Sequence, residues 1–349
     1  MVSLVYCESS ALDHAATEVG LFDNAGPSIS IEISGKNLLE VTVSKMALLF
    51  SLSRNPVIRG PARGLVTSPQ EIGSRVIETV KSRSDFPWKG MVRWKNKVAL
   101  VTGASEGIGA ATCRLLATNG MIVLGVSRNT SKVEKMAAEL RRSATCTGRL
   151  SHFSADVSKE EDLRSLFMWA ARTLGGVDVL VNNAGMGVPG SIINGDVCSW
   201  RRMMDVNVVG LAVCSSETVR SLESRRALEG YIINICSVAG HVMTSFDDLQ
   251  MYHVSKYAVT ALTEVYRREL KSRSVPIRVS QISPGLVRTE FVRNLYKEHP
   301  QKEEKVARYF PDIKLLTSED IAQTVLYCLA SPPHMQVHDI IMRPRGQLI

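Results

Sequence analysis

Residues 97–109 read KVALVTGASEGIG, an apolar run that breaks into a turn carrying Gly103, Gly107 and Gly109 and then runs on into ATCRLLAT. Few sequence features restrict a fold as tightly. A short run rich in valine, directly followed by glycines and then by a helix-forming stretch, predicts a buried strand, a tight turn and a helix laid back on the sheet. Each glycine has a separate reason. Gly103 permits the tight turn, Gly107 lets the backbone approach a pyrophosphate, and Gly109 lets helix and strand pack closely. The start of that helix offers N–H groups and a positive dipole to an anion. The expected ligand is therefore a dinucleotide.

The pattern that begins at Lys97 continues to the C-terminus. Strands are expected at Lys97–Thr102, Met121–Val126, Leu150–Ser154, Val177–Val181, Tyr231–Cys236 and Ile277–Ile282. Helices are expected after the glycine turn to about Asn119, then at Thr130–Arg142, Ser158–Thr173, Asp196–Leu222, Tyr252–Ser272 and Glu319–Ala330. Apolar runs that alternate with helices mean βαβ units. The predicted class is α/β: a Rossmann-type, doubly wound parallel sheet of about seven strands with helices on both faces. It forms a single domain over residues 91–349. Ligands of such sheets bind outside the carboxyl ends of the strands, where the motifs below fall.

Residues 1–90 have a different character and are expected to be a poorly ordered N-terminal extension. They hold short apolar pieces broken by Gly, Ser and Pro; Ile29–Ile33 and Leu38–Val43 could be brief strands and Glu71–Lys81 a helix. They carry nine Lys/Arg and nine Asp/Glu, so the net charge of +8 arises downstream. There the basic residues are scattered over helical segments, as solvated helix faces would have them. With aromatic residues at only 6%, the interleaved basic and aromatic surface of a nucleic-acid binder is not expected. Seven cysteines stand singly with no CxxC spacing, which argues against disulfides and against a zinc or other metal site, and for a reducing, cytoplasmic setting. No apolar stretch is long enough for a membrane span, and Met1 is not followed by a signal-peptide pattern.

Dinucleotide sites that take NAD usually place a carboxylate at the end of the second strand to bind the ribose 2′-OH. Here that strand ends in Ser127-Arg128-Asn129. A guanidinium can pair with a 2′-phosphate through two hydrogen bonds, so NADP(H) is favoured over NAD(H). Glu106 faces the same region and would not help a phosphate.

With these residues in view the chain resembles a short-chain dehydrogenase/reductase from about Met91 to its end. TGASEGIG resembles the cofactor loop, Asp156-Val157 the pair at the adenine, and Asn182-Asn183-Ala184-Gly185 the segment after the fourth strand. Ser237, Tyr252 and Lys256 resemble the catalytic serine and YxxxK pair, and Pro284-Gly285 the turn beside the nicotinamide. The motifs occur in the family's order. MVRWKNKVALVTGAS, YAVTALTE and IIMRP are most similar to the insect farnesol dehydrogenase-like branch and its vertebrate 17-ketosteroid and carbonyl reductase relatives. The resemblance implies a cofactor site of Gly103, Ser105, Glu106, Gly107, Ile108, Gly109, Arg128, Asn129, Asp156, Val157, Asn183, Ala184, Gly185, Tyr252, Lys256, Pro284, Gly285, Val287 and Thr289. It also implies that Asn207 orders a proton-relay water near the lysine, and that the protein is a homodimer or homotetramer built through its long helices.

The chemistry of the resemblance is coherent. Hydride transfer to a carbonyl makes an alkoxide that needs a proton, and the reverse reaction needs a base. A free tyrosine, near pKa 10, is poorly matched to either task at neutral pH, and a neighbouring ammonium is expected to lower it. Tyr252 and Lys256 share a helix face at four-residue spacing. Ser237 ends a strand, where its hydroxyl could hold the substrate oxygen. Cys236 would point to the other face, and His241 and His253 are read as packing or pocket-lining. Met186–Ser191, Val238–Thr244 and Val292–Phe310 should shape the substrate pocket, the last as a lid with Leu295, Tyr296, Tyr309 and Phe310. Their apolar content suggests a lipophilic alcohol or carbonyl compound. The rival reading is a non-catalytic, nucleotide-binding regulatory protein of the same fold.

Overall fold

The computed structural model describes residues 17–21, 29–33, 88–244, 248–295 and 313–347. The chain divides into two units, Met1–Ile77 and Glu78–Ile349. In the first, β1 (Thr17–Leu21) pairs antiparallel with β2 (Ile29–Ile33), the latter where a strand is expected. The strand and helix expected at Leu38–Val43 and Glu71–Lys81 lie outside the described residues.

The second unit is built on a seven-stranded sheet in which every pairing is parallel. In chain order its elements are β3 (Val98–Thr102), α1 (Gly107–Thr118), β4 (Ile122–Ser127), α2 (Ser131–Arg142), β5 (Arg149–Ser154), α3 (Glu160–Leu174) and β6 (Val179–Asn182). There follow α4 (Val197–Met204), α5 (Gly210–Ser224), β7 (Gly230–Ile235), α6 (Gln250–Glu269), β8 (Ile277–Pro284), α7 (Glu290–Leu295), α8 (Ser318–Ala330) and β9 (Asp339–Met342). Spatial order is β5-β4-β3-β6-β7-β8-β9. The winding reverses between β3 and β6, and such a reversal opens a crevice at the strands' carboxyl ends.

Side chains alternate across each strand, and in the central strands both faces are buried. On β3, Ala99 and Val101 join one core layer and Leu100 the other; on β6, Val179 and Val181 oppose Leu180; on β7, Tyr231, Ile233 and Ile235 oppose Ile232. The first layer is covered by α1, α2 and α8, the second by α3 and α5. This is why these strands read as continuous apolar runs rather than alternating ones. Each fully buried leucine or isoleucine contributes about 1.5–3 kcal/mol, so the central strands hold the frame that positions the loops. Upstream of β3, the 3-10 turn Trp88–Trp94 buries Met91 and Trp94, whose indole donates to the Leu329 carbonyl at 2.8 Å at the end of α8.

Three details depart from the sequence expectation. The single helix expected at Asp196–Leu222 is α4 and α5 joined through a π turn at Asp205–Val209, which inserts an extra residue and turns Asn207 inward. The strand of Ile277 continues to Pro284 because β9, a short edge strand, pairs with its second half from Gln281 onward. The helix of Tyr252 starts at Gln250 and ends in a 3-10 turn at Leu270–Ser272.

Candidate active site

The glycine turn has the strained geometry that requires its glycines. Gly103 and Gly107 lie at φ +67° and +56°, where side chains with a Cβ are disfavoured. A Cβ on Gly109 would sit 2.2 Å from the Gly103 carbonyl oxygen, so α1 packs on the turn only because that atom is missing. Glu106 is the N-cap of α1, yet its side chain makes no cap hydrogen bond and the first turn holds no acid. By contrast, Asp196 caps α4, and Thr317 with Asp320 forms a full capping box on α8. The N-terminus of α1, like those of α2 and α3, thus has no cap bond from its N-cap side chain to its free N–H groups. That geometry, with a guanidinium at the neighbouring strand end, fits a dinucleotide.

Thr102 and Asn183 hold the turn against the strand beyond the switch point. The Thr102 hydroxyl oxygen accepts from the amides of Asn183 and Ala184, both at 3.0 Å. The Asn183 side-chain amide donates to the carbonyls of Thr102 at 2.9 Å and Gly103 at 3.2 Å. Asn183 therefore braces the turn through its side chain. Thr102 opens the TGASEGIG motif in the sequence, which gives no sign of this bracing role.

At the end of β4, Ser154 donates to the Arg128 carbonyl at 3.1 Å, and the Asn129 carboxamide oxygen accepts from the Ser131 amide at 3.0 Å as α2 begins. Burial pushes the Asp156 carboxyl up, but hydrogen bonds from Ser158 and the nearby charges of Arg128 and Lys159 outweigh it and hold the group below its usual range. Arg128 and Asp156 follow the ends of the neighbouring strands β4 and β5.

Ser237, Tyr252 and Lys256 meet across the switch point. Ser237 lies two residues past the end of β7, and its oxygen accepts from the Ala239 amide at 3.1 Å. Tyr252 and Lys256 are both buried on α6, with the lysine ammonium 5.7 Å from the tyrosine ring centre. Lys256 also donates to the Ile235 carbonyl at 3.2 Å, fixing it to the end of β7. The expected lowering of the tyrosine pKa does not appear in the protein chain itself. Burial drives the phenol well above its ordinary value, and a hydrogen bond with Ser237 draws it only partly back. Burial likewise lowers the Lys256 ammonium. The reason is common to both: a low-dielectric pocket disfavours either charge before any charged ligand is present.

Asn207 reaches the same centre from the π turn. Its carboxamide oxygen accepts from the Met186 amide and its nitrogen donates to the Met186 carbonyl, each at 2.8 Å. The nitrogen donates a second time to Ser255 at 3.0 Å, and Ser255 donates to the Tyr252 carbonyl at 2.7 Å. Asn207 thereby clamps the segment after β6 to the helix of Tyr252. Ser255 is a participant that nothing in the sequence singled out.

Pro284 ends β8, and the segment beyond it returns over the glycine turn. Val287 bridges to Leu316, and Thr289 is the residue that a Cβ on Gly107 would approach most closely, at 3.3 Å. Gly285 donates to the Met342 carbonyl at 2.7 Å, and a Cβ there would strike Gln347 at 2.3 Å. Cys236 faces away, with its thiol toward the Lys256 carbonyl at 3.3 Å. His253 is buried and engaged on both ring nitrogens, by Leu249 at 2.8 Å and by Thr244 at 2.9 Å. Among the described residues no cluster of His, Cys, Asp or Glu could hold a metal.

The first two pocket stretches and the start of the third converge on Tyr252. Met203, Ala239 and Leu249 pack with its ring, joined by Met186, Val188, Phe291 and Leu295. The Phe291 ring lies 5.7 Å from that of Tyr252. Tyr296, Tyr309 and Phe310 lie outside the described residues.

Comparison with known proteins agrees with this architecture. Residues 97–300 match the family model described as short chain dehydrogenase. The chain is 45% identical over 259 residues to dehydrogenase/reductase SDR family member 11 of Gallus gallus, covering 74% of this chain and 100% of that one. It is 43% identical over 258 residues to farnesol dehydrogenase of Aedes aegypti, covering 74% of this chain and 99% of that one. Among solved structures, a closed form of serine dehydrogenase complexed with NADP+ superposes with a TM-score of 0.64 at 27% identity, over 72% of this chain and 96% of that one. An alcohol dehydrogenase from the archaeon Thermococcus sibiricus complexed with 5-hydroxy-NADP gives 0.61 at 26%, over 73% and 99%. With a glycine turn of positive-φ glycines, a seven-stranded parallel sheet, a family-model match over residues 97–300 and relatives that match it over nearly their whole length, the chain belongs to the short-chain dehydrogenase family of oxidoreductases.

Proposed function

We propose that the protein transfers hydride between NADP(H) and an alcohol or carbonyl carbon of a lipophilic small molecule. The observation that carries this reading is the convergence of Ser237, Tyr252 and Lys256 beneath an apolar wall, with Arg128 following the end of β4 across the switch point of the sheet. When bound, the nicotinamide donates or accepts the hydride. The chain's own part is to hold the substrate oxygen and move a proton. Ser237 and Tyr252 together offer two hydroxyls to that oxygen. In reduction the Tyr252 phenol, kept protonated by burial, gives its proton to the nascent alkoxide. In oxidation it accepts the proton from the alcohol, and Lys256 stabilises the phenolate. Asn207, through Met186 and Ser255, keeps the tyrosine helix and the segment after β6 in register.

Arg128 is assigned the 2′-phosphate, with Asp156 and Val157 beside the adenine. Gly103 to Gly109 receive the pyrophosphate, and Asn183 to Gly185 and Pro284 to Thr289 line the remainder. Relatives support the coenzyme and substrate class: two structural neighbours hold NADP+ or an NADP derivative, and one sequence relative is a farnesol dehydrogenase. The apolar residues around Tyr252 favour a long aliphatic or polycyclic substrate over a sugar or an acid. The check is steady-state oxidation of NADPH and NADH with a panel running from small polar sugars and keto acids to isoprenoid aldehydes and ketosteroids. NADPH should be favoured by about tenfold or more in kcat/KM, as one charge-assisted contact allows, with turnover confined to the lipophilic members. Turnover only of the small polar members would overturn the substrate class.

A further inference from the structure

His241 stands at the far end of the short turn that begins with Ser237. The 3-10 turn Val238–Gly240 has Ser237 as its N-cap and His241 as its C-cap, and the Ser237 carbonyl accepts from the Gly240 amide at 2.9 Å. So tight a turn has little slack, and whatever fixes His241 also fixes Ser237. One side of the turn lies against α6: a Cβ on Gly240 would sit 2.7 Å from the Lys256 carbonyl oxygen, and Thr260 donates to the Gly240 carbonyl at 3.2 Å. The other side is held by the His241 ring.

That ring reaches two strands. Its Nε2 is 2.9 Å from the Ser283 hydroxyl on β8 and 3.0 Å from Asp339 Oδ2 on β9. Ser283 donates its own hydrogen to Asp339 Oδ1 at 2.9 Å, and a carboxylate oxygen can only accept. Nε2 therefore carries a hydrogen, directed at Ser283 and Asp339. The Gln281 side-chain nitrogen, 3.2 Å from Nε2, donates to Asp339 Oδ2 at 2.9 Å and to Thr260 at 3.1 Å, which closes the cluster onto α6. These residues are not a hydrolytic triad, because hydroxyl and carboxylate share one ring nitrogen instead of flanking the ring. His253 offers a contrast: its partners Leu249 and Thr244 belong to its own helix start and the loop before it. His241 instead joins a loop to two separate strands. Ser283, moreover, directly precedes Pro284-Gly285, the turn assigned above to the cofactor.

We propose that His241 is a positioning residue for hydride transfer: by tying the serine turn to Ser283 and Asp339, it sets the Ser237 hydroxyl in register with the cofactor-lining turn. It acts through Ser237 and not on the reacting atoms. The inference rests on the hydride-transfer reading above, and it gives a task to a side chain that the sequence marks only as packing or pocket-lining.

Single-turnover hydride transfer by the full chain tests it, from NADPH to farnesal or to whichever lipophilic panel member is turned over fastest, with NADPH affinity followed by fluorescence. His241→Leu should slow transfer about 10- to 100-fold, since a misplacement of about 1 Å can cost about 100-fold, and leave NADPH affinity within about twofold. His241→Gln keeps an N–H donor near the position of Nε2 and should recover most of that loss. In a Ser237→Ala background no hydroxyl is left to position, so His241→Leu should slow transfer by less than about threefold more. Ser283→Ala breaks the same tie with a smaller change and should show the same dependence on Ser237; it carries the test if His241→Leu does not fold. Equal losses with and without the Ser237 hydroxyl would overturn the proposal, as would an unchanged rate in His241→Leu or, in its place, Ser283→Ala. Joint loss of NADPH affinity and transfer, or a His241→Gln variant as slow as His241→Leu, would make the residue structural and overturn it too. A wild-type chain that binds NADPH but transfers hydride to no lipophilic panel member would overturn the hydride-transfer reading, and this inference with it.

Discussion

Tyr252 illustrates how one residue's surroundings set its chemistry. Burial keeps its phenol protonated across neutral pH, and Ser237 is within hydrogen-bonding reach. A group with a raised pKa is ready as an acid and must be ionised to serve as a base. The two directions of reaction should therefore respond oppositely to pH. Carbonyl reduction should be flat through neutrality and fall only in the alkaline range. Alcohol oxidation should climb with pH, by up to about tenfold per unit below the pKa of the cofactor-bound site. Profiles of kcat/KM in both directions check this; an oxidation rate that falls as pH rises would contradict it. The Tyr–Lys spacing and the strand-end serine were legible in the sequence because they lie on local periodicities. The net direction of the tyrosine's shift was not, because desolvation depends on Met203, Leu249 and Phe291, which arrive from distant parts of the chain.

At the scale of elements, the π turn at Asp205–Val209 has the clearest functional consequence. Hydrophobic periodicity shows where a helix lies but does not register one inserted residue. The sequence accordingly suggested an unbroken helix, with Asn207 placed only by resemblance. In the fold the turn aims Asn207 at both backbone groups of Met186. Asn207→Ala would strip partners from an amide, a carbonyl and the Ser255 hydroxyl in a largely buried place. The expected cost is about 1–3 kcal/mol of stability, read as a lower urea midpoint, with a disproportionate fall in kcat as Met186 and Tyr252 lose their common brace. A variant with unchanged stability and unchanged kcat would remove the clamp from the account. The alternation of strands and helices was legible throughout because the parallel sheet is buried on both faces. β9 was harder to see, since the apolar run of this short edge strand, Ile340–Met342, is only three residues long.

For the molecule as a whole, α6 offers a surface as well as a site. Tyr252 and Lys256 face inward, while Val254, Tyr257 and Val265 remain 46%, 39% and 54% exposed on the opposite side. Ala261, also exposed, completes an apolar stripe at helical spacing. Such a stripe suits a second copy of the chain, in keeping with the homo-oligomer expected from the long helices. Replacing Tyr257 and Val265 by arginine should shift the mass seen by light scattering toward the monomer. An unchanged mass would place any assembly elsewhere. Among the described residues no helix is long and apolar enough to cross a membrane.

The most direct test of the central claim is single-turnover hydride transfer from NADPH to a lipophilic aldehyde such as farnesal, comparing the wild-type chain with Tyr252→Phe while NADPH binding is followed by fluorescence. Rapid transfer is expected in the wild type and a loss of about 10²–10⁴-fold in the variant, with NADPH affinity nearly unchanged, because only the proton-transferring hydroxyl has been removed. Equal rates in the two proteins, or binding of NADPH with no transfer in either across the lipophilic panel, would contradict it and favour a nucleotide-binding regulatory role.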